Sequence, residues 1–196
     1  ENLSIQVRKA VEMLVDALSR ADRDAHGAPL AGISADELYE GAVTVVMRLV
    51  FLLAAEERRL LPGDDDFYAA NYGIAGLADR LIAAANNRGE DILALGASAF
   101  PQILAATRVV HDGVRHPRLN IKGYGGSVFD PARYPWLEGA QPGGSGTPAR
   151  VDDRTMLHIL TGLTRWQGRR LAYRTLDVEQ IGYVYEGLLD HTAVNA

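Results

Sequence analysis

The chain of 196 residues contains no cysteine. Thiolate metal sites, disulfide frameworks and cysteine nucleophiles are therefore excluded together, a composition that fits a cytoplasmic protein. Lysine is almost as scarce. Of the 20 cationic side chains only Lys9 and Lys122 are lysines. Neither stands two residues after an acid, so the Pro-Asp…Asp/Glu-x-Lys nuclease pattern has no lysine to use. A basic excess is also missing. The formal net charge is -5, which argues against strong autonomous nucleic-acid binding and leaves room for a few local phosphate contacts. The most apolar run, Ala42–Ala55, is shorter than the roughly 18 residues that a bilayer span needs and contains Arg48. It predicts a buried helix and no membrane partner. A signal-peptide pattern is not visible at the start, and no repeat recurs at a period of roughly 20 to 50 residues.

Catalytic patterns are missing as well. Gly123-Tyr124-Gly125-Gly126 has glycines enough for a nucleotide loop, but it neither follows a buried strand nor opens a helix, so it predicts a tight turn. Asp130-Pro131 with Tyr134 falls short of the Asp/Asn-Pro-Pro-Tyr/Phe motif that holds a flipped base. The second proline is absent and Tyr134 stands one place too far along. The histidines (His26, His111, His116, His158 and His191) are scattered without ligand spacing and read as surface or capping residues. There is no nucleophile elbow. Catalytic, cofactor-binding and metal residues are accordingly assigned to none.

What is present is helical periodicity. With 47% hydrophobic residues the chain has enough apolar mass for one domain or two small ones. Val7, Val11, Leu14, Val15 and Leu18 form one stripe of a helix over Asn2–Asp24, with Arg8, Lys9, Glu12, Asp16 and Arg20 on its other faces. Ser34 and Glu37 make a capping-box pair that opens a second helix from Ala35 to about Leu61, stopped by Pro62-Gly63. Its charged end, Glu56 to Arg59, is expected in solvent, and Arg48 is expected to snorkel or to pair with a carboxylate. Shorter helices follow over Ile74–Asn86 and Phe100–Asp112. A glycine- and aromatic-rich stretch then predicts an ordered loop or small hairpin near 117–137, pinned by Phe129, Tyr134 and Trp136. The composition of 139–150 is that of a flexible linker. A helix resumes after Asp152 or Asp153 with Met156, Leu157, Ile159, Leu160 and Leu163 as its face. Arg169–Leu176 reads as a short strand or extended lead-in, and Asp177 caps a last helix. The fold class is thus mainly α, an irregular helical bundle divided into 1–138, a linker over 139–150, and a helical segment over 151–196.

One polar cluster stands out. Arg150, Arg154, Arg165, Arg169, Arg170 and Arg174 make 150–174 locally basic, with Trp166 and Tyr173 interleaved. Arginine beside aromatics suits phosphate and base contact, and Arg165, Arg169, Arg170 and Arg174 are the candidate DNA contacts. The alternative is a solvated face neutralised by Asp152, Asp153, Asp177 and Glu179.

Three stretches in order, LYEGAVTVVMRLVFLLAAEERRLLP (38–62), YGGSVFDPARYPWL (124–137) and RRLAYRTLDVEQIGYVYEGLLD (169–190), resemble the region that precedes the catalytic domain in large bacterial restriction–modification N6-adenine DNA methyltransferases. These include nuclease–methylase fusions and methylases of phage-defence islands. The last stretch is the most specific. Leu176, Ile181, Gly182, Val184, Tyr185, Glu186, Leu188 and Leu189 fill a segment that leads into the methylase. The resemblance implies a helical connector that packs on a methylase domain and helps to shape its DNA channel. S-adenosylmethionine would be the cofactor of the parent enzyme and not of this chain, because the cofactor loop and base-holding motif are expected beyond Ala196. Tyr185 and Glu186 are the candidate interdomain contacts. An interaction module using the surface around Tyr183–Leu189 is the alternative.

Overall fold

The computed structural model describes residues 2–193, with side chains over 3–190, and the molecule is mainly α-helical. Among the described residues there are seven α-helices: α1 (Asn2–Asp24), α2 (Ala35–Glu57), α3 (Asp66–Asn71), α4 (Ile74–Arg88), α5 (Ala99–Asp112), α6 (Asp153–Thr164) and α7 (Val178–Ala193). Two separate antiparallel hairpins complete it, β1 (Gly113–His116) with β2 (Leu119–Lys122), and β3 (Arg165–Trp166) with β4 (Arg169–Arg170). The expected 151–196 segment includes residues 194–196, which lie outside the described residues, as does the side chain of His191.

The helix stripes decide the packing. On α1, Val7, Val11, Leu14 and Leu18 are each no more than 1% exposed, while Arg8, Lys9, Glu12, Asp16 and Arg20 face water. Helix α1 packs on both α2 and α6. Each large aliphatic side chain so buried contributes about 1.5–3 kcal/mol. In α2 the Ser34 hydroxyl accepts from the Glu37 amide at 3.1 Å, which is half of the expected capping box. The helix ends at Glu57 and not near Leu61. Arg59 turns to a φ of 59° and the Leu60 amide closes back on the Ala55 carbonyl at 2.9 Å, a left-handed stop ahead of Pro62. By length and composition the whole of α2 could cross a membrane, yet 72% of its apolar window is buried inside the bundle.

Two helices start on carboxylates borrowed from elsewhere. The N-caps of α4 and α5, Gly73 and Ser98, give no side-chain cap bond of their own. Glu56, expected in solvent, is instead buried. Its Oε1 accepts from the Ile74 amide at 2.7 Å and from the Tyr68 hydroxyl at 3.1 Å, and its Oε2 accepts from the Ala75 amide at 3.0 Å. Asp153, at the start of α6, does the same for α5. It accepts from the Ala99 amide at 2.8 Å and the Ser98 hydroxyl at 3.1 Å. A negative group against the free amides of a helix N-terminus satisfies orphan donors and complements the helix dipole. Burial nevertheless holds the Glu56 carboxyl above its ordinary range, and its hydrogen bonds offset only part of that.

The hairpin of the glycine-rich region occupies 113–122, earlier than the 117–137 expected, and the remainder is an ordered loop with short 3₁₀ turns at Pro131–Arg133 and Pro135–Glu138. Tyr134 and Trp136 are buried and Phe129 is half-buried, so the aromatic pins act as expected. Gly125 and Gly126 take left-handed φ of 61° and 86°, but 123–126 is an irregular stretch, and the turn follows at 127–129. Arg48 neither snorkels nor meets a carboxylate. It is 2% exposed and donates to two loop carbonyls, through Nε to Val128 and through Nη2 to Asp130 at 3.0 Å. Burial, with the nearby Arg133 charge, lowers its pKa to about 10. The arginine therefore stays charged at neutral pH and fastens this loop to α2.

Between residues 139 and 150 the chain closes on itself through the Gly146 amide and Gly139 carbonyl at 2.9 Å. It is tied outward by Gln141 to the Pro29 carbonyl at 2.9 Å and by Arg150 to the Leu95 carbonyl at 2.6 Å. Buried residues before and after this segment belong to one hydrophobic cluster.

Candidate nucleic-acid interface

Helix α6 ends at Thr164 and the chain reverses through Gln167 and Gly168, with φ of 48° and 75°. Two consecutive left-handed residues are the turn that matches the twist of a tight hairpin. The register pairs Arg165 with Arg170 and Trp166 with Arg169. Directly opposed residues share a face, so Arg165 and Arg170 stand side by side on one face while Trp166 and Arg169 share the other.

Bonds on both sides hold this short ribbon. The Leu171 amide donates to the Thr164 carbonyl at 2.9 Å, and Gln6 of α1 reaches the Arg165 carbonyl at 3.3 Å. Tyr173, 3% exposed, donates its hydroxyl to the Leu163 carbonyl at 2.5 Å, and burial raises its pKa, with the Glu57 charge adding to it. Downstream, the Arg174 amide donates to Glu57 at 3.0 Å and the Arg58 guanidinium to the Leu176 carbonyl.

Arg165, Arg169, Arg170 and Arg174 are all exposed, and among the described residues none of them has an ion-pair partner. The acids nearest in sequence are engaged otherwise. Asp152 caps α6 by accepting from the Thr155 amide and hydroxyl, both at 2.9 Å. Asp153 caps α5, and Asp177 accepts from the Glu179 amide at 3.2 Å. Arg154 instead meets Asp91 at 3.4 Å, and Arg150 is spent on the Leu95 carbonyl. The structure thus gathers four of the six arginines at the hairpin and its exit and leaves two elsewhere.

Arg165 and Arg170 line a cavity of about 280 Å³ whose other wall is Ala75, Ala78, Asp79 and Ile82 of α4. The adjoining cavity of about 200 Å³ carries Glu57 and Asp64 beside Arg170. Asp79, Glu57 and Asp64 thus put carboxylates in the same hollows that Arg165 and Arg170 line. Among the described residues no three metal-ligating side chains come together.

The two candidate interdomain residues differ. Tyr185 is half-buried, and its hydroxyl accepts from Arg133 at 3.0 Å while that guanidinium lies 5.4 Å over the Tyr134 ring. Glu186 is exposed. Beside it Tyr183 is 71% exposed, and at the foot of α7 an apolar hollow of about 230 Å³ is lined by Phe51, Leu60, Tyr124, Phe129, Val178 and Ile181. The opposed placement of Arg165 and Arg170 was not apparent from the sequence. The signal for it was Gln167-Gly168, a two-residue turn within a basic run. No protein family, curated protein or solved structure matches the chain.

Proposed function

We propose that the chain is a non-catalytic helical connector of a larger cytoplasmic N6-adenine DNA methyltransferase of the restriction–modification or phage-defence type. It packs beside the methylase domain and touches DNA phosphates with Arg165, Arg169, Arg170 and Arg174. The supporting observation is the pair Arg165 and Arg170, opposed across a hairpin with no ion-pair partner. Like charges directly opposite each other in a sheet are destabilising, so their placement is better suited to a bound anion than to the free chain. The similarity of the three sequence stretches to the pre-catalytic region of such enzymes supports the rest, including S-adenosylmethionine as cofactor of the parent alone.

The test has two arms. Duplex binding by the chain at low salt is followed over a salt titration for wild type and for Arg165→Ala/Arg170→Ala. Each lost phosphate contact lowers the slope of log K against log salt by about 0.9, without loss of thermal stability. Unchanged slope and affinity would remove the phosphate role. In the second arm, calorimetry with S-adenosylmethionine is expected to give no isotherm, and clear binding would overturn the non-catalytic assignment. A reading as a protein-interaction module is favoured by one feature, Tyr183 of α7, which is 71% exposed. Capture of a partner that is indifferent to any methylase domain, and is lost in Tyr183→Ser, would select it.

A further inference from the structure

The second hairpin is basic too, and it is built differently. Its register pairs Gly113 with Lys122, Val114 with Ile121, Arg115 with Asn120 and His116 with Leu119. Alternation then divides the ribbon into two faces. Leu119 and Ile121, 5% and 6% exposed, turn inward with Val114 against α5. Arg115, Asn120 and Lys122 stand on the opposite, exposed face.

Both ends of the ribbon are fixed. At its root, Gly113 and Gly123 approach so closely that a Cβ on either would lie within 2.5 Å and 2.7 Å of backbone atoms. The Tyr124 amide also donates to the Val110 carbonyl at 2.9 Å. At its tip, the His116 ring stacks on Phe67 of α3, with centroids 6.5 Å apart and planes 14° from parallel, and the Arg118 guanidinium sits 4.8 Å over the same ring. Among the described residues Arg115, Arg118 and Lys122 form no ion pair. The nearest acid in sequence, Asp112, lies 2.6 Å from His111. Arg115, Asn120 and Lys122 border an open concavity of about 930 Å³, which the Asp112 carboxylate also lines.

We propose that the outer face of the β1–β2 hairpin is a base-reading element that enters the major groove of duplex DNA. A two-stranded ribbon fits a groove about 12 Å wide, and arginine and asparagine are the side chains that grip guanine and adenine edges through paired bonds. Here they are cross-strand neighbours, with Lys122 two pairs further along on the same face for the phosphates. The face offers no apolar or aromatic side chain, which a lipid surface or a stacked single strand would require. The deep, narrow major groove of duplex RNA does not admit such a ribbon. This inference rests on the proposed contact with DNA and assigns it to different residues and a different task.

The experiment measures fluorescence anisotropy of the chain on labelled duplexes at low salt, together with the sites it selects from a randomised duplex pool. Wild type is compared with Arg115→Ala/Asn120→Ala, Lys122→Ala and Arg165→Ala/Arg170→Ala, with single-stranded DNA and phosphatidylserine vesicles as competitors. The expected result is at least a tenfold loss of affinity for the selected site, with flattened base preference, in Arg115→Ala/Asn120→Ala. Lys122→Ala is expected to weaken all duplexes alike. Melting temperature should hold in both, because these side chains are exposed. If the β3–β4 variant loses affinity while Arg115→Ala/Asn120→Ala keeps both affinity and preference, base reading by this hairpin is refuted and the phosphate role stands. Preference for vesicles or single strands also refutes it. Wild-type chain that binds no duplex at low salt overturns both readings.

Discussion

Replacing Gly41 by alanine sets two effects of known sign against each other. Gly41 lies inside α2, where glycine is less favourable than alanine by about 1 kcal/mol, so propensity alone predicts a gain. A Cβ there, however, would lie 2.4 Å from Cζ2 and 3.0 Å from Cη2 of Trp136. Carbon atoms rest about 3.5–4.0 Å apart, so the indole must retreat by about 1 Å. Its surroundings resist that shift. Trp136 is 2% exposed, packs edge-on to Tyr134 at 6.3 Å, and lies two residues before Glu138, whose two carboxylate oxygens accept from Nε and Nη2 of Arg108. Overpacking of this kind costs about 1–3 kcal/mol, occasionally more. Steric strain should outweigh propensity, leaving a net loss of up to about 2 kcal/mol, or up to roughly 8 °C in melting temperature for a chain of this size. Gly162 of α6 has nothing within 4 Å of its Cβ position, so Gly162→Ala serves as the control and should gain stability. Thermal melts followed by circular dichroism give the two signs. Tryptophan emission, read in a Trp166→Phe background, reports whether Trp136 has moved. A Gly41→Ala chain as stable as wild type with unshifted emission would show that the indole is not clamped, and the reasoning would fail.

Two further outcomes follow from the buried charges. Arg48→Met leaves the Val128 and Asp130 carbonyls without their donor and should cost about 2–4 kcal/mol in urea denaturation, because two charge-assisted bonds outweigh the relief of a desolvated charge. Arg48→Lys, whose compact ammonium lacks the guanidinium fork, should fall between. For Glu56 the folded-state pKa is raised by burial, so the folded state takes up its proton more readily than the unfolded chain. The wild type should therefore gain stability relative to Glu56→Gln as pH falls through the folded-state pKa toward about 4.5, and the difference should be flat above that window. Wild type that loses stability relative to Glu56→Gln on acidification would contradict this sign.

The helices legible in the sequence were those whose own residues carry the signal. The period of Val7, Val11, Leu14 and Leu18 gave α1, and Ser34 before Ala35 gave the start of α2. What stayed hidden depended on partners far along the chain. Glu56 sits in a charged run that reads as solvent-facing, and only the folded chain brings the amides of Ile74 and Ala75 onto it. Arg48 lies 80 residues from the Val128 carbonyl it serves. At the candidate interface the residue types were legible and the pairing was not. The arginines could be named from the sequence, but their lack of carboxylate partners follows from Asp152, Asp153 and Asp177 being used as caps. Neighbouring charges do not reveal which of them the backbone amides will claim.

The loan of Asp153 to α5 bears on how the polypeptide can be divided. Its composition invites a cut between residues 139 and 150, but such a cut would leave Ala99 on one piece and the carboxylate that receives its amide on the other. The leading fragment would begin α5 with bare donors, and the trailing one would carry an acid matched to nothing. A boundary drawn for expression, fusion or rearrangement therefore has to keep both halves of that joint in the same molecule, whatever the glycines between them suggest.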